Sequence, residues 1–178
     1  MVILYIVSIL IAVVVIILIV ALFLPARYHI EKRTIIAKPI EFVMDKVADL
    51  NHYAQWNPWQ KMEPDGSSEI TGTPKTAGHC FRWEGKKIGV GSLTLRDIDR
   101  RHVHFYLDFI KPWKASASDD WHFEEWGNGE TKVTWQNSGD LPYPFARLLG
   151  PMLNKKLEKQ FVDGLKNLKN LCESKRDV

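Results

Sequence analysis

The sequence predicts an α+β protein: a curved antiparallel β-sheet wrapped around one long C-terminal α-helix, preceded by a single membrane-spanning helix. Three observations carry that expectation. Residues 2–24 form an apolar run without a charge. Between residues 70 and 138, short segments alternate apolar and polar side chains and are separated by tight turns. From Phe145 onward, Leu149, Leu153, Leu157, Phe161, Leu165, Leu168 and Leu171 recur at spacings of three and four, one stripe on a helix.

The chain has 178 residues, room for one domain and an accessory segment. In the run 2–24 only Tyr5 and Ser8 are clearly polar. A helix of that length, rising about 1.5 Å per residue, crosses the roughly 30 Å hydrocarbon core of a bilayer. A cleaved signal peptide would show a basic n-region, a shorter apolar stretch and a small-residue cleavage site. Here nothing basic precedes the run, and apolar residues continue through Phe23 and Leu24 to Pro25. A buried helix of a soluble fold would keep polar positions recurring on one face, and none recur. The expected division is a transmembrane anchor over 1–25 and a ligand-binding domain over 26–178. Arg27, Lys32, Arg33 and Lys38 follow the run closely, so the positive-inside rule puts the domain on the cytoplasmic side of the inner membrane. The two cysteines, Cys80 and Cys172, form no disulfide-rich pattern, in keeping with a reducing compartment. The formal charge of +3 beside a bilayer reads as attraction to anionic lipid, not nucleic acid.

Residues 28–38 predict a strand, with Ile30, Thr34, Ile35 and Ile36 supplying β-branched side chains. Pro39 opens a helix whose apolar face is Phe42, Val43, Val47 and Leu50. A short helix and an aromatic-rich loop follow over 51–59. Strands are expected at 70–73, 78–84, 88–96, 102–110, 114–125 and 131–138, the last two joined by a tight turn at Gly127, Asn128 and Gly129. Consecutive strands with short turns imply an antiparallel meander. The stripe of the last helix, over 145–171, is expected to cover the sheet's apolar face, with a kink or a fresh start at Gly150 and Pro151. A bent sheet wrapped around one helix leaves a gap, a natural cavity.

Several stretches carry a resemblance. They are Ile36-Ala37-Lys38-Pro39-Ile40-Glu41-Phe42-Val43, Val47-Ala48-Asp49, Trp56-Asn57-Pro58-Trp59, Gly78 ahead of the strand ending in Trp83, Gly89-Val90-Gly91, Phe109-Ile110-Lys111-Pro112, Thr131-Lys132-Val133-Thr134-Trp135 and Phe161-Val162-Asp163-Gly164-Leu165-Lys166-Asn167-Leu168. In this order and spacing they resemble the SRPBCC superfamily, also called START-like or Bet v 1-like, and within it the bacterial polyketide cyclase/dehydrase-type proteins. The resemblance covers 28–172. It implies the helix-grip fold and a cavity for a lipophilic ligand. It implies no single chemistry, since members include carriers, receptors, cyclases and co-chaperones.

The seven tryptophans suit either a packed core or the walls of a pocket. Trp113, after Pro112, is placed for a cavity mouth or a headgroup layer. Six histidines raise the question of a metal, yet no Cys-x-x-Cys or His-Glu-x-x-His pattern exists. His102 and His104 share a strand face, His79 and His122 lie on others, and solvent-facing histidines are the expectation; no metal and no cofactor is expected. By strand parity Asp119 lies with Trp121 and Phe123, and His79 with Phe81 and Trp83. Asp119 and His79 are thus candidate acid or base groups in an apolar interior, although no nucleophile elbow, P-loop or dinucleotide fingerprint accompanies them. The expected lining is Trp83, Phe105, Leu107, Asp119, Trp121, Phe123, Trp135, Phe161, Gly164 and Leu165. The expected function is a membrane-anchored binding domain for a lipophilic small molecule or lipid. The alternatives are a cyclase- or dehydratase-like enzyme on a polyketide- or isoprenoid-like substrate, and a protein-interaction module of co-chaperone type whose partner is not specified.

Overall fold

The computed structural model describes residues 1–174, so positions 175–178 of the domain expected over 26–178 lie outside the described residues. The order is α1 (Val2–Phe23), β1 (Arg27–Ile36), α2 (Ile40–Ala48), α3 (Tyr53–Trp56), β2 (Ser67–Thr71), β3 (Cys80–Gly85), β4 (Gly89–Ile98), β5 (His102–Lys111), β6 (Ala115–Glu125), β7 (Thr131–Asp140) and α4 (Phe145–Glu173). The strands form one antiparallel sheet in the order β1-β7-β6-β5-β4-β3-β2. Six of them are the expected meander, and β1 closes the other edge by pairing with β7 from Arg27↔Asp140 to Ile36↔Thr131. With α2 and α3 inserted between β1 and β2, and α4 returning across β1, the sheet's inner face is covered: the helix-grip arrangement.

Strand alternation decides which side chains go inside. Phe81, Leu93, Leu95, Val103, Phe105, Trp121, Phe123, Val133 and Trp135 from the sheet meet Phe161, Leu165 and Leu168 from α4, all buried. The β6–β7 turn uses left-handed backbone at Gly127, Asn128 and Gly129 (φ 69°, 47° and 79°), conformations that glycine and asparagine adopt most readily.

Three details differ from the sequence expectation. Strand β2 starts at Ser67, ahead of the expected 70, because its pairing with β3 begins at Ser67↔Glu84. Helix α4 runs without interruption through Gly150 and Pro151. One missing N–H is tolerated there because the following turns are held on the sheet by Phe161, Leu165 and Leu168. The first half of the α4 stripe does not cover the sheet. Phe145 is 76% exposed and Leu149 50%. A helix of 29 residues is about 43 Å long, whereas a ten-residue strand spans about 33 Å, so α4 overshoots. The overshoot lies beside α1, where the Tyr143 hydroxyl just ahead of α4 donates to the Leu18 carbonyl at 3.1 Å.

Helix α1 has a mean hydropathy of 3.6 and is long and apolar enough to cross a membrane. Ala21 is its one buried residue.

Candidate functional site

The inner face of β6 and β7 brings a carboxylate into the apolar interior. Asp119 is buried at the centre of β6, between Ala117 and Trp121 on the same face. Its Oδ2 accepts the Trp121 indole N–H at 2.9 Å, and its Oδ1 accepts the Trp135 indole N–H at 2.8 Å and the Asn137 side-chain N–H at 2.9 Å. The Tyr28 hydroxyl in turn donates to Asn137 Oδ1 at 2.8 Å, which orients the amide. Each of these side chains has a polar partner, as a buried polar group requires. Burial pushes the Asp119 carboxyl up to about 6 against the three donors that favour its charged form. Burial, then the charge of Asp119, pushes the Tyr28 hydroxyl up to about 12 and raises that of Tyr53 as well.

Around this carboxylate the aromatic rings pack in one stack. Trp135 lies between Trp121, at 4.4 Å between ring centroids, and Phe161, at 3.9 Å, both nearly parallel to it. Trp56 meets both tryptophans edge-on. Gly164 supplies the room for this stack: a Cβ added there would lie 2.8 Å from the Trp135 ring and 3.3 Å from Pro58. Beside Asp119 a narrow seam runs between Val47, Tyr53, Trp56, Leu93, Phe105, Asp119 and Trp121. None of it is wide enough to seat a water molecule.

Of the residues expected to line a pocket, Phe105, Asp119 and Trp121 touch the seam. Phe123, Trp135, Phe161, Gly164 and Leu165 are buried in the same interior, and Trp83 and Leu107 are half-buried at its margin. A hollow wide enough for water, about 250 Å³, opens to solvent elsewhere, between Pro39, Ile40 and Glu41 and the β6–β7 turn, and includes none of them.

His79, the other candidate acid or base, is fully buried and both ring nitrogens are occupied. Its Nε2 accepts the Leu50 amide at 3.0 Å, so Nδ1 carries the proton and donates to the Thr71 carbonyl at 3.1 Å. It joins the first helical layer to the sheet edge. His122 does not lie apart from His102 and His104: pairing of β5 with β6 sets it directly opposite His102, the rings stacked at 4.6 Å. Sequence reasoning missed Tyr28, Tyr53 and Asn137. Asn137 had a signal, since it lies two residues beyond Trp135 on one strand face, whereas Tyr28 is brought in only by the pairing of the sheet's edge strand.

Solved structures share this architecture at low identity. A protein of Chromobacterium violaceum superposes with a TM-score of 0.62 at 13% identity, over 82% of this chain and 97% of that one. The Zhui aromatase/cyclase of a Streptomyces species gives 0.61 at 19% identity, over 83% and 94%. A protein of Mesorhizobium loti gives 0.61 at 12%, over 85% and 100%. These establish the fold alone. No curated protein matches the sequence significantly. The family assignment comes from the sequence running from the first residue of β1 to the last of α4: residues 27–173 match the family described as polyketide cyclase / dehydrase and lipid transport, and the chain belongs to it.

Proposed function

We propose that the chain is a membrane-tethered binding module for a lipophilic small molecule or lipid, held between the inner face of the sheet and α4. The observation that carries this reading is Asp119: a buried carboxylate with two indole donors at the floor of an apolar interior, beside a narrow seam between the packed side chains. Such a pairing suits a ligand that is mostly apolar with one polar end. In this reading Trp83, Phe105, Leu107, Trp121, Phe123, Trp135, Phe161 and Leu165 form the walls and Gly164 leaves room. The seam is too narrow for a ligand, so binding requires these side chains to part. The family's lipid-transport description supports the same class of ligand.

The tether is α1. Anchoring residues 1–25 in the inner membrane would hold the domain of 26–178 at its cytoplasmic surface and give it a high local concentration of membrane-dissolved ligand. Phe145, Leu149 and Met152, exposed beside α1, support a bilayer-facing end of the domain. Trp113, 77% exposed at the tip of the β5–β6 hairpin, supports it too.

The test is native mass spectrometry of residues 26–178 purified without detergent, followed by organic extraction. A stoichiometric lipophilic adduct is expected. An apo chain that takes up no added fatty acid, isoprenoid or aromatic polyketide would contradict the proposal.

A second reading, a cyclase- or dehydratase-like enzyme, draws on the Asp119 pKa of about 6, which suits general acid–base work near neutrality. The Streptomyces aromatase/cyclase shares the fold. It predicts that Asp119→Asn abolishes turnover of such a substrate while binding persists.

A further inference from the structure

The outer face of the sheet carries a second constellation, unrelated to the interior. Alternation along β5 puts His102 and His104 on that face, and alternation along β6 puts Asp120 and His122 there. The register pairs His102 with His122 and His104 with Asp120, so four side chains form a two-by-two block on neighbouring strands. Cross-strand neighbours of this kind have Cβ atoms about 5 Å apart, within reach of one shared ion.

One donor atom from each of His102, His104 and Asp120 lies within 4.8 Å of the other two. The His104 Nδ1–H donates to Asp120 Oδ1, and His102 Nε2 is 3.4 Å from the same oxygen. For a tetrahedral ion with metal–ligand bonds of about 2.0–2.1 Å, ligand atoms are about 3.3 Å apart, so small side-chain rotations complete the triangle. The surroundings fit as well. The Ser118 hydroxyl donates to Asp120 Oδ2, leaving Oδ1 turned to the histidines. Asp97 Oδ1 lies 3.9 Å from His102 Nδ1, on the ring edge opposite Nε2, one side-chain rotation short of the hydrogen bond that orients a ligating imidazole. All three side chains are about three-quarters buried, with exposures of 24–26%.

We propose that His102, His104 and Asp120 bind one divalent transition-metal ion of the zinc class on the outer face of the sheet. Two imidazoles and a carboxylate are a borderline-soft donor set suited to zinc and its neighbours over calcium or magnesium. Three protein ligands leave a coordination position for water. Binding through His104 Nδ1 moves its proton to Nε2, and the hydrogen bond to Asp120 gives way to two bonds to one ion. Sequence spacing could not reveal the site, because its ligands come from two strands whose register is set by pairing.

The experiment is a zinc titration of the full chain in detergent by calorimetry, repeated with cobalt to read the visible ligand-field spectrum. Saturable binding of one ion per chain is expected. His102→Gln, His104→Gln and Asp120→Asn should each weaken it roughly tenfold or more, while His29→Gln and His52→Gln leave it unchanged. Imidazole NMR signals of the unsubstituted chain give a readout that needs no variant: those of His102 and His104 should move and saturate together, and those of His29 and His52 should not. Unsaturable binding, or saturable binding indifferent to Asp120→Asn and His104→Gln, would overturn the proposal and mark the ion as adventitious.

Discussion

At Asp119 the carboxyl equilibrium is displaced upward, from 3.8 to about 6, by burial among Trp121, Trp135 and Phe105. The folded chain therefore keeps a proton between about pH 4 and 6 that the unfolded chain has released. The stability Asp119 contributes is full below about pH 4 and lost as pH rises through about 6, a swing of about 3 kcal/mol. Asp119→Asn is neutral throughout and lacks this term. Urea unfolding followed by tryptophan fluorescence should show the wild type gaining on Asp119→Asn by that order between pH 7 and pH 4; parallel profiles would contradict it. Comparing the two chains matters because Asp45, Asp49 and Asp120 have lowered pKa values and act in the opposite sense. Asp120, one residue on, faces the other side of the sheet, and strand alternation alone separates the two environments.

At the scale of elements, the joint between α4 and β7 decides how the interior is filled. Gly164 faces the Trp135 ring so closely that Gly164→Ala pushes a Cβ into it. Loss of about 1–3 kcal/mol is expected by denaturant unfolding. The exposed neighbour Asp163→Ala should change stability by less than about 0.5 kcal/mol. Phe161→Ala removes one face of the Trp135 stack and should cost about 3–5 kcal/mol. Much of this joint was legible in the sequence: the three-and-four spacing picked out Phe161 and Leu165, and strand alternation put Asp119 with Trp121 and Phe123. The length of α4 relative to the strands was not legible, because a stripe shows which side of a helix is apolar and not where its partner ends. Phe145 and Leu149 were therefore expected on the sheet and stand outside it. The position of His122 beside His102 was hidden for a related reason, since alternation gives the face of each strand but pairing sets what lies opposite.

For the molecule as a whole, the succession of strand, helices, meander and long helix was enough to read the helix-grip architecture, and the motif order was enough to read the family. What the sequence could not convey is how tightly the interior closes, because packing depends on the fit of rings brought from five strands and two helices. The anchor reading makes its own prediction. Deleting residues 2–24 should move the chain from the membrane pellet to the soluble fraction, and retention in the pellet at high salt would contradict it. The central claim is that a lipophilic ligand enters beside Asp119. Its most direct test is a two-dimensional NMR spectrum of the indole N–H groups of the seven tryptophans, recorded while a lipophilic ligand recovered by extraction is added. The account predicts that Trp121 and Trp135, whose N–H groups are bound to Asp119, shift and saturate. Movement confined to the exposed Trp113 and Trp126 would mean surface contact only, and would contradict it.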